Sequence, residues 1–491
     1  MNTNVAAPRS INYGDQLPLG IESRSQQKLF FPSTGGGPYS GDGTNICRID
    51  LSYDGLIDFA NSYLTFKITN TNTDAYSLDL GQPVIQRLRI ECGGVVLEDI
   101  QNYNHLLGGI LTPAQNGLSN THTDAFNVSQ PCMANVVTGH GNVTTTAPTD
   151  VQMSQHFASA SGASGAVGNV VREAVNNNFA FTAANPITGA GAGFYNILVG
   201  GAVAEYSTRH CCYKLVSGLL DNDKYIPMML LNAPITLEIT FAPQKNSGCI
   251  AGGQAFDGAI NITDVRYVAH TIDLERSFYD RLRMVQQSSG GVLQIAGTSF
   301  RNYVGSIGTT GQQSINIPAR LRSIKSVFWK AMVNDDDHQF TLSGGGHANI
   351  TGYQVKIGGN NYPPTKITAN QLNNKITPYL QLQKAFGKLG STVHSDLLCP
   401  INYLTDLTGT TGNVNGCLRA DVQCAFAPYG LDLESFRHEI ENGINTSGNA
   451  LVMSLELDQS AALAAALPLQ VFVMYDSLFY VNMDGTISVS T

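Results

Sequence analysis

Leu88-Arg89-Ile90-Glu91-Cys92-Gly93-Gly94 alternates apolar and charged side chains and then breaks at two glycines. Successive side chains of a strand point to opposite faces, so this spacing predicts one dry face, one wet face and a turn that glycine enters freely. Beyond the turn, Val95 to Leu97 leads into an apolar, helix-like stretch at His105 to Leu111. The second half of the chain repeats the order. There Val355-Lys356-Ile357-Gly358-Gly359 runs through Tyr362-Pro363-Pro364 into a helix-like stretch from Asn370 to Phe386. Taken alone, such an echo arises by chance in a glycine-rich β-protein about as readily as by duplication.

The alternation recurs along the chain. Leu64, Phe66 and Ile68 oppose Thr65, Lys67 and Thr69, and Ile235, Leu237, Ile239 and Phe241 oppose Thr236, Glu238 and Thr240. Sheets with one wet face are antiparallel sandwiches more often than parallel α/β sheets. Composition agrees: only 13% of residues are charged and 50 are glycine, which suits turn-rich β-structure better than long solvated helices. At 491 residues the chain has room for two large β-domains.

A strand from Thr263 to Ile272 runs into a helix, with Asp273 as N-cap, Glu275 in the first turn and Leu274, Phe278, Leu282 and Val285 on one stripe. Ser288-Ser289-Gly290-Gly291 stops it, and strand grammar resumes at Val292. The expected organisation is an N-terminal arm over 1–45, a first domain over 46–273, a connecting helix over 274–290 and a second domain over 291–491. The arm assignment rests on five glycines between Gly35 and Gly43 and on weak apolar periodicity. An insertion over about 113–206 has Asp124, Asp150, Arg172, Glu173 and Glu205 as its only charges. Such a segment is expected to be an ordered tower packed on copies of itself.

Several of these segments together resemble the double jelly-roll major capsid proteins of the polinton-like virus, virophage and adenovirus-related double-stranded DNA lineage. Ile49-Asp50-Leu51 and Asn61 to Phe66 look like the first two strands of an N-terminal roll, and Gly218 to Glu238 is similar to its closing strands. Val265 to Val285 resembles the inter-roll connector, and Leu293 to Tyr303 the start of the second roll. Gly443 to Gly448 and Leu469 to Val489 resemble its last strands. The resemblance implies an all-β chain of two tandem antiparallel eight-stranded jelly rolls with short helices and long loop insertions. It implies homotrimeric, nearly hexagonal capsomers tiling an icosahedral virion shell assembled in the host cell. Neighbouring capsomers, penton and minor capsid proteins would be the partners. The rival readings are a tandem β-sandwich that binds or processes carbohydrate, and a single-roll capsid protein with a projecting domain; the repeated Gly-Gly hairpin disfavours the latter.

Chemistry is sparse. Net charge is -9 and the first 45 residues hold Arg9, Arg24 and Lys28 against Asp15, Glu22 and Asp42, so strong nucleic-acid binding is not expected. The longest apolar run, Ala461 to Tyr475, is interrupted by Pro468 and Gln470, so neither a signal peptide nor membrane insertion is expected. The nine cysteines form no C-x-x-C pair; Cys92 and Cys424 sit in apolar strand patterns as small core residues. Five N-x-[ST] sequons, at Asn127, Asn142, Asn261, Asn349 and Asn445, suit chance in an Asn- and Thr-rich chain. Asp335-Asp336-Asp337-His338 reads as a solvated loop rather than a cation site, because no EF-hand spacing accompanies it. His210-Cys211-Cys212 lies on a strand, where neighbouring cysteines face opposite ways. Gly35-Gly36-Gly37 and Gly344-Gly345-Gly346 precede no Lys-Ser/Thr and read as turns. Trp329, the only tryptophan, is expected in the core. No catalytic, cofactor-binding or metal residue is assigned, and no cofactor.

Overall fold

The computed structural model describes residues 23–71, 76–78, 82–115, 197–198, 208–243, 248–250, 260–332, 345–370, 373–389, 398, 403–404, 423–424, 427–436, 441–448 and 451–491, apart from 36, 41–42, 310 and 464. Among the described residues, sixteen of the strands build two sandwiches of the same plan, with shorter strands added at their margins. The first eight are β1 (Ser23–Phe30), β2 (Ile46–Leu51), β3 (Leu56–Asn70), β4 (Ile85–Cys92), β5 (Val95–Gln101), β6 (Thr208–Tyr213), β7 (Ile235–Phe241) and β8 (Ile260–Leu274). They form two antiparallel sheets, ordered β1-β8-β3-β6 and β2-β7-β4-β5. The next eight are β9 (Val292–Ile307), β10 (Gln312–Ile317), β11 (Ile324–Ala331), β12 (Ile350–Ile357), β13 (Asn360–Thr368), β14 (Tyr429–Asp432), β15 (Met453–Gln459) and β16 (Leu467–Asn482). Their sheets run β9-β16-β11-β14 and β10-β15-β12-β13, the first order with eight added to every number. This interleaving of early and late strands is the double Greek key of a jelly roll, so the chain is all-β and contains two of them.

Alternation places the cores. Leu64, Phe66 and Ile68 of β3 are buried while Thr65, Lys67 and Thr69 stay partly wet. β7 keeps the pattern with one exception: Glu238, on the outer face, is buried because Arg48 of β2 bonds it from Nε at 2.8 Å and Arg89 of β4 lies 3.8 Å away. The second core centres on aromatic rings. Trp329 of β11 stacks on Tyr429 of β14 at 5.6 Å with 4° between planes, and Tyr353 of β12 meets Trp329 edge-on at 5.0 Å. Each such ring removed from water contributes on the order of 1.5–3 kcal/mol, and the core placement expected for Trp329 holds.

Each roll turns from its fourth to its fifth strand through a two-residue glycine hairpin. Gly93 and Gly94 have φ of 56° and 82°, and Gly358 and Gly359 have 56° and 95°, the left-handed pair that lets so short a turn match strand twist. Each hairpin then leads to a helix: a run of Tyr103–Leu106, a π turn Leu107–Leu111 and Thr112–Gln115 in the first roll, and Ile376–Ala385 in the second. The echo between the two halves is thus a shared position in a shared topology.

Three expectations change. Ser23–Phe30 is not arm but the first strand, paired with β8 from Ser23↔Leu274 to Phe30↔Tyr267. Among the described residues no strand pairs with its outer edge, so a polar sequence suffices and no apolar alternation announces it. Ile49-Asp50-Leu51 and Asn61 to Phe66 accordingly belong to the second and third strands. Gly443 to Gly448 is a loop, laid on the start of β11 by reciprocal bonds between Ile324 and Ile444 at 2.9 Å. In the connector, α1 (Arg276–Ser288) begins at Glu275 rather than Asp273, whose carboxylate instead accepts the Tyr53 hydroxyl. Phe278 and Leu282 are half-buried and Val285 is exposed. Of the insertion, Ile197–Leu198 pairs with Tyr76–Leu78, which pairs in turn with Gly248–Ile250; the tower expected for 113–206 otherwise falls outside the described residues beyond Gln115.

Candidate functional site

The polar chemistry gathers between the rolls. Strand β5, the edge of its sheet, passes β9, the edge of the next roll. Glu98 of β5 is buried and accepts the backbone N–H groups of Gly218 and Leu219, both at 2.9 Å. Burial holds its carboxyl above the ordinary range, against the opposing pull of those two amide hydrogen bonds. Gly218 itself meets Gly297 of β9 backbone to backbone: a Cβ on Gly297 would lie 2.0 Å from the Gly218 carbonyl oxygen. One strand-width further, Asn102 Nδ2 donates to Asn302 Oδ1 at 3.0 Å and to Gln470 Oε1 at 3.2 Å. Asn222 Nδ2 bonds the Ala296 carbonyl, and the Asn232 amide bonds that of Gly485 at 2.9 Å.

The 103–115 helix is sealed into the same seam. Leu106, Leu107, Ile110 and Leu111 are buried, and Pro113 O accepts the Leu398 amide of the second roll at 2.9 Å. The imidazole of His105, a half-buried residue of this helix, has its pKa pushed down to about 3 by burial and then by Lys330 of β11. Helix α1 is tied down from below by Gln286 Nε2, which donates to the Val481 carbonyl at 2.9 Å. These groups hold two rolls at a fixed angle; they are not arranged around a reacting atom.

The other sequence candidates scatter. On β6, Cys211 is buried beside Phe66 while His210 and Cys212 face the other side, so the three do not converge. Among the described residues no group of three or more His, Cys, Asp or Glu side chains could hold a metal ion. Asp335 to His338 falls outside those residues, as do Gly36, Gly344, Asn127 and Asn142. Gly35 and Gly37 have left-handed φ, and Gly345–Gly346 is a short strand on β11. A cavity of about 70 Å³ beside His347, Asn349, Thr351 and Ser460 is well below the roughly 300 Å³ at which ligand pockets begin. Among the described residues no helix is long and apolar enough to cross a membrane. Sequence reading missed the seam, because Glu98, Gly218, Gly297 and Asn302 are far apart in the chain and follow no local pattern.

No family model and no curated protein matches the chain. Solved structures do. PBCV-1 VP54, fitted into a cryo-EM reconstruction of the virophage Sputnik, is similar with a TM-score of 0.50 and 11% identity over 98% of this chain and 99% of that one. A quasi-atomic model of the PBCV-1 virus capsid gives 0.51 and 11% over the same shares, 98% and 99%. The cryo-EM structure of the Sputnik virophage gives 0.50 and 10% over 100% of this chain and 93% of that one. At such identities the likeness is one of fold. It runs through both rolls and the connector, and the chain has the double jelly-roll fold of viral major capsid proteins.

Proposed function

We propose that the chain is the major capsid protein of a double-stranded DNA virus in the lineage named above, a structural protein rather than an enzyme. Three copies, each with two rolls, form a nearly hexagonal capsomer, and capsomers tile an icosahedral shell with penton and minor capsid proteins as further partners. One observation carries the reading: the pair of rolls, fused edge to edge, corresponds as a unit to the PBCV-1 capsid structure over 98% of the chain. A lone sandwich domain with a ligand site would have no need of a second roll in the same strand order. Assembly then works by repetition, each contact modest and the closed shell cooperative.

With a net charge of -9 on each chain, the trimer has little affinity for DNA at physiological salt, and the genome is enclosed rather than gripped. Sedimentation and negative-stain microscopy of the purified chain test the proposal. Trimers with six-fold outlines are expected; a monomer persisting at micromolar concentration would overturn it.

A further inference from the structure

In the second roll a lysine is set between two carboxylates and largely shut off from water. The side chain of Lys325, on β11, is 12% exposed, against 4% for Asp476 of β16 and 17% for Glu434, two residues beyond β14. Its Nζ lies 3.0 Å from Asp476 Oδ1 and 3.4 Å from Glu434 Oε1. The other oxygen of Asp476 is held separately: Ser323 Oγ and the Glu441 amide both donate to Oδ2 at 2.8 Å. Ser323 Oγ in turn accepts the Gly443 amide at 3.0 Å, which leaves its own proton for Asp476. The main chain is shaped around these groups. Ile324 pairs with Tyr475 and Ser326 with Met474, so Lys325 is the extra residue of a β-bulge, a device that re-aims a side chain. Glu441 has φ of 57°, uncommon for a residue other than glycine. The Leu433 amide bonds Lys325 O at 2.7 Å and the Asp476 amide bonds Ser323 O at 3.1 Å, so the three side chains ride on strands bonded to one another.

We propose that Lys325 and Asp476 become joined by a side-chain amide that the folded chain forms on itself. The parts of an acyl transfer are in place: a nucleophile, an acyl carbon, two fixed donors where charge develops and a second acid to carry protons. Nζ gives one proton to Asp476 Oδ1 across the 3.0 Å contact and attacks Cγ. As the Nζ–Cγ bond forms, the carbonyl electron pair moves to Oδ2, where Ser323 and Glu441 hold it. Glu434 takes a second proton from Nζ and passes it to Oδ1. The Cγ–Oδ1 bond then breaks, Oδ1 departs as water and Oδ2 returns to a carbonyl. Ammonium and carboxylate have become one amide and one water, with Glu434 unchanged and no other reactant consumed. Holding the reacting groups on bonded strands supplies the proximity that the uncatalysed condensation lacks. The bond closes the chain from β11 to β16 into a covalent loop, which restricts the unfolded state and steadies the second roll. It is independent of the capsid reading.

Mass spectrometry of the denatured full-length chain, followed by peptide mapping, tests the proposal. The wild type is expected to be one water lighter than its sequence, and digestion should release a branched peptide that carries both Lys325 and Asp476. Lys325→Arg keeps the positive charge and Glu434→Gln keeps the side-chain shape, so both should fold with the circular dichroism of the wild type yet have the full sequence mass. On a denaturing gel the looped wild type should run ahead of both. A wild type at full mass would overturn the proposal, whatever the variants do. So would a missing water that maps to another residue, such as a succinimide at an aspartate. A Glu434→Gln chain as light as the wild type would overturn the role given to Glu434.

Discussion

The first and second rolls share a strand order, a glycine hairpin and a helix in the same place, yet they distribute apolar surface differently. The helix after the first hairpin is buried from Leu106 to Leu111, and its counterpart leaves Ile376 and Leu380 in water. The fold cannot be the cause, since it is the same. What differs is the surroundings: the first helix is bonded at Pro113 by Leu398 of the second roll, whereas Ile376 and Leu380 of the second helix face water. Exposure in this molecule therefore reports which neighbour is present. Both cores carry buried rings in contact, Phe66 with Tyr213 and Phe241 in one and Trp329, Tyr353 and Tyr429 in the other.

The largest effect should come from those cores. Trp329→Ala and Phe66→Ala each remove a fully buried ring and should cost roughly 3–5 kcal/mol. Because the buried apolar residues of both rolls form one continuous cluster, calorimetry should show a single transition shifted down in either variant. Two separate transitions would break the comparison, with each roll then melting alone. A smaller cost, about 1–3 kcal/mol, is expected for Gly297→Ala, whose new methyl meets the Gly218 backbone rather than a side chain able to move; a thermal midpoint unchanged from wild type would contradict the close seam.

The hairpins offer a matched pair. Gly94 and Gly359 have φ of 82° and 95° with open space around them, so alanine at either position meets only backbone strain. Each should lose about 1–2 kcal/mol in urea titration, and unequal losses would show that the two turns are not equivalent. The smallest effect concerns acid. His105 is held at about 3 in the folded chain against 6.5 when free, so the unfolded chain takes up the proton first and stability falls as pH drops from 6.5 toward 3. Between pH 6 and 5 this should amount to roughly 1 kcal/mol. Glu98, raised by burial, acts in the opposite sense, so the quantity to measure is the difference in slope between wild type and His105→Gln; equal slopes would remove His105 as the cause.

Much of the fold was legible where burial is one-sided. Leu64 to Ile68 and Ile235 to Phe241 carry alternation because one face is dry, and the glycine pairs are visible because each turn needs positive φ. Strand β1 is not legible, because among the described residues no strand pairs with its outer edge and nothing demands apolar residues at Ser23 to Gln27. Gly443 to Gly448 looked like strand but only lies along one, an ambiguity of two hydrogen bonds to Ile324. The seam was not legible. Gly218 and Gly297 matter because of what each touches, and a glycine needed for close approach looks in sequence like any other.

The backbone contact between Gly218 and Gly297 also bears on how accurately a ring can be built. Side chains between two bodies act as springs, absorbing small errors of angle by changing rotamer, but where carbonyl meets α-carbon no such spring exists. Tilt between the rolls is then set with the stiffness of the main chain. Errors of angle add around a ring of six, so a deviation of about 3° at every joint would open a gap near 18°, comparable to the scatter of ordinary helix packing. In the proposed trimer, three of the six joints would be made rigid inside the chains, and only the other three would have to be adjusted during assembly, which would halve the accumulated error before any two copies met.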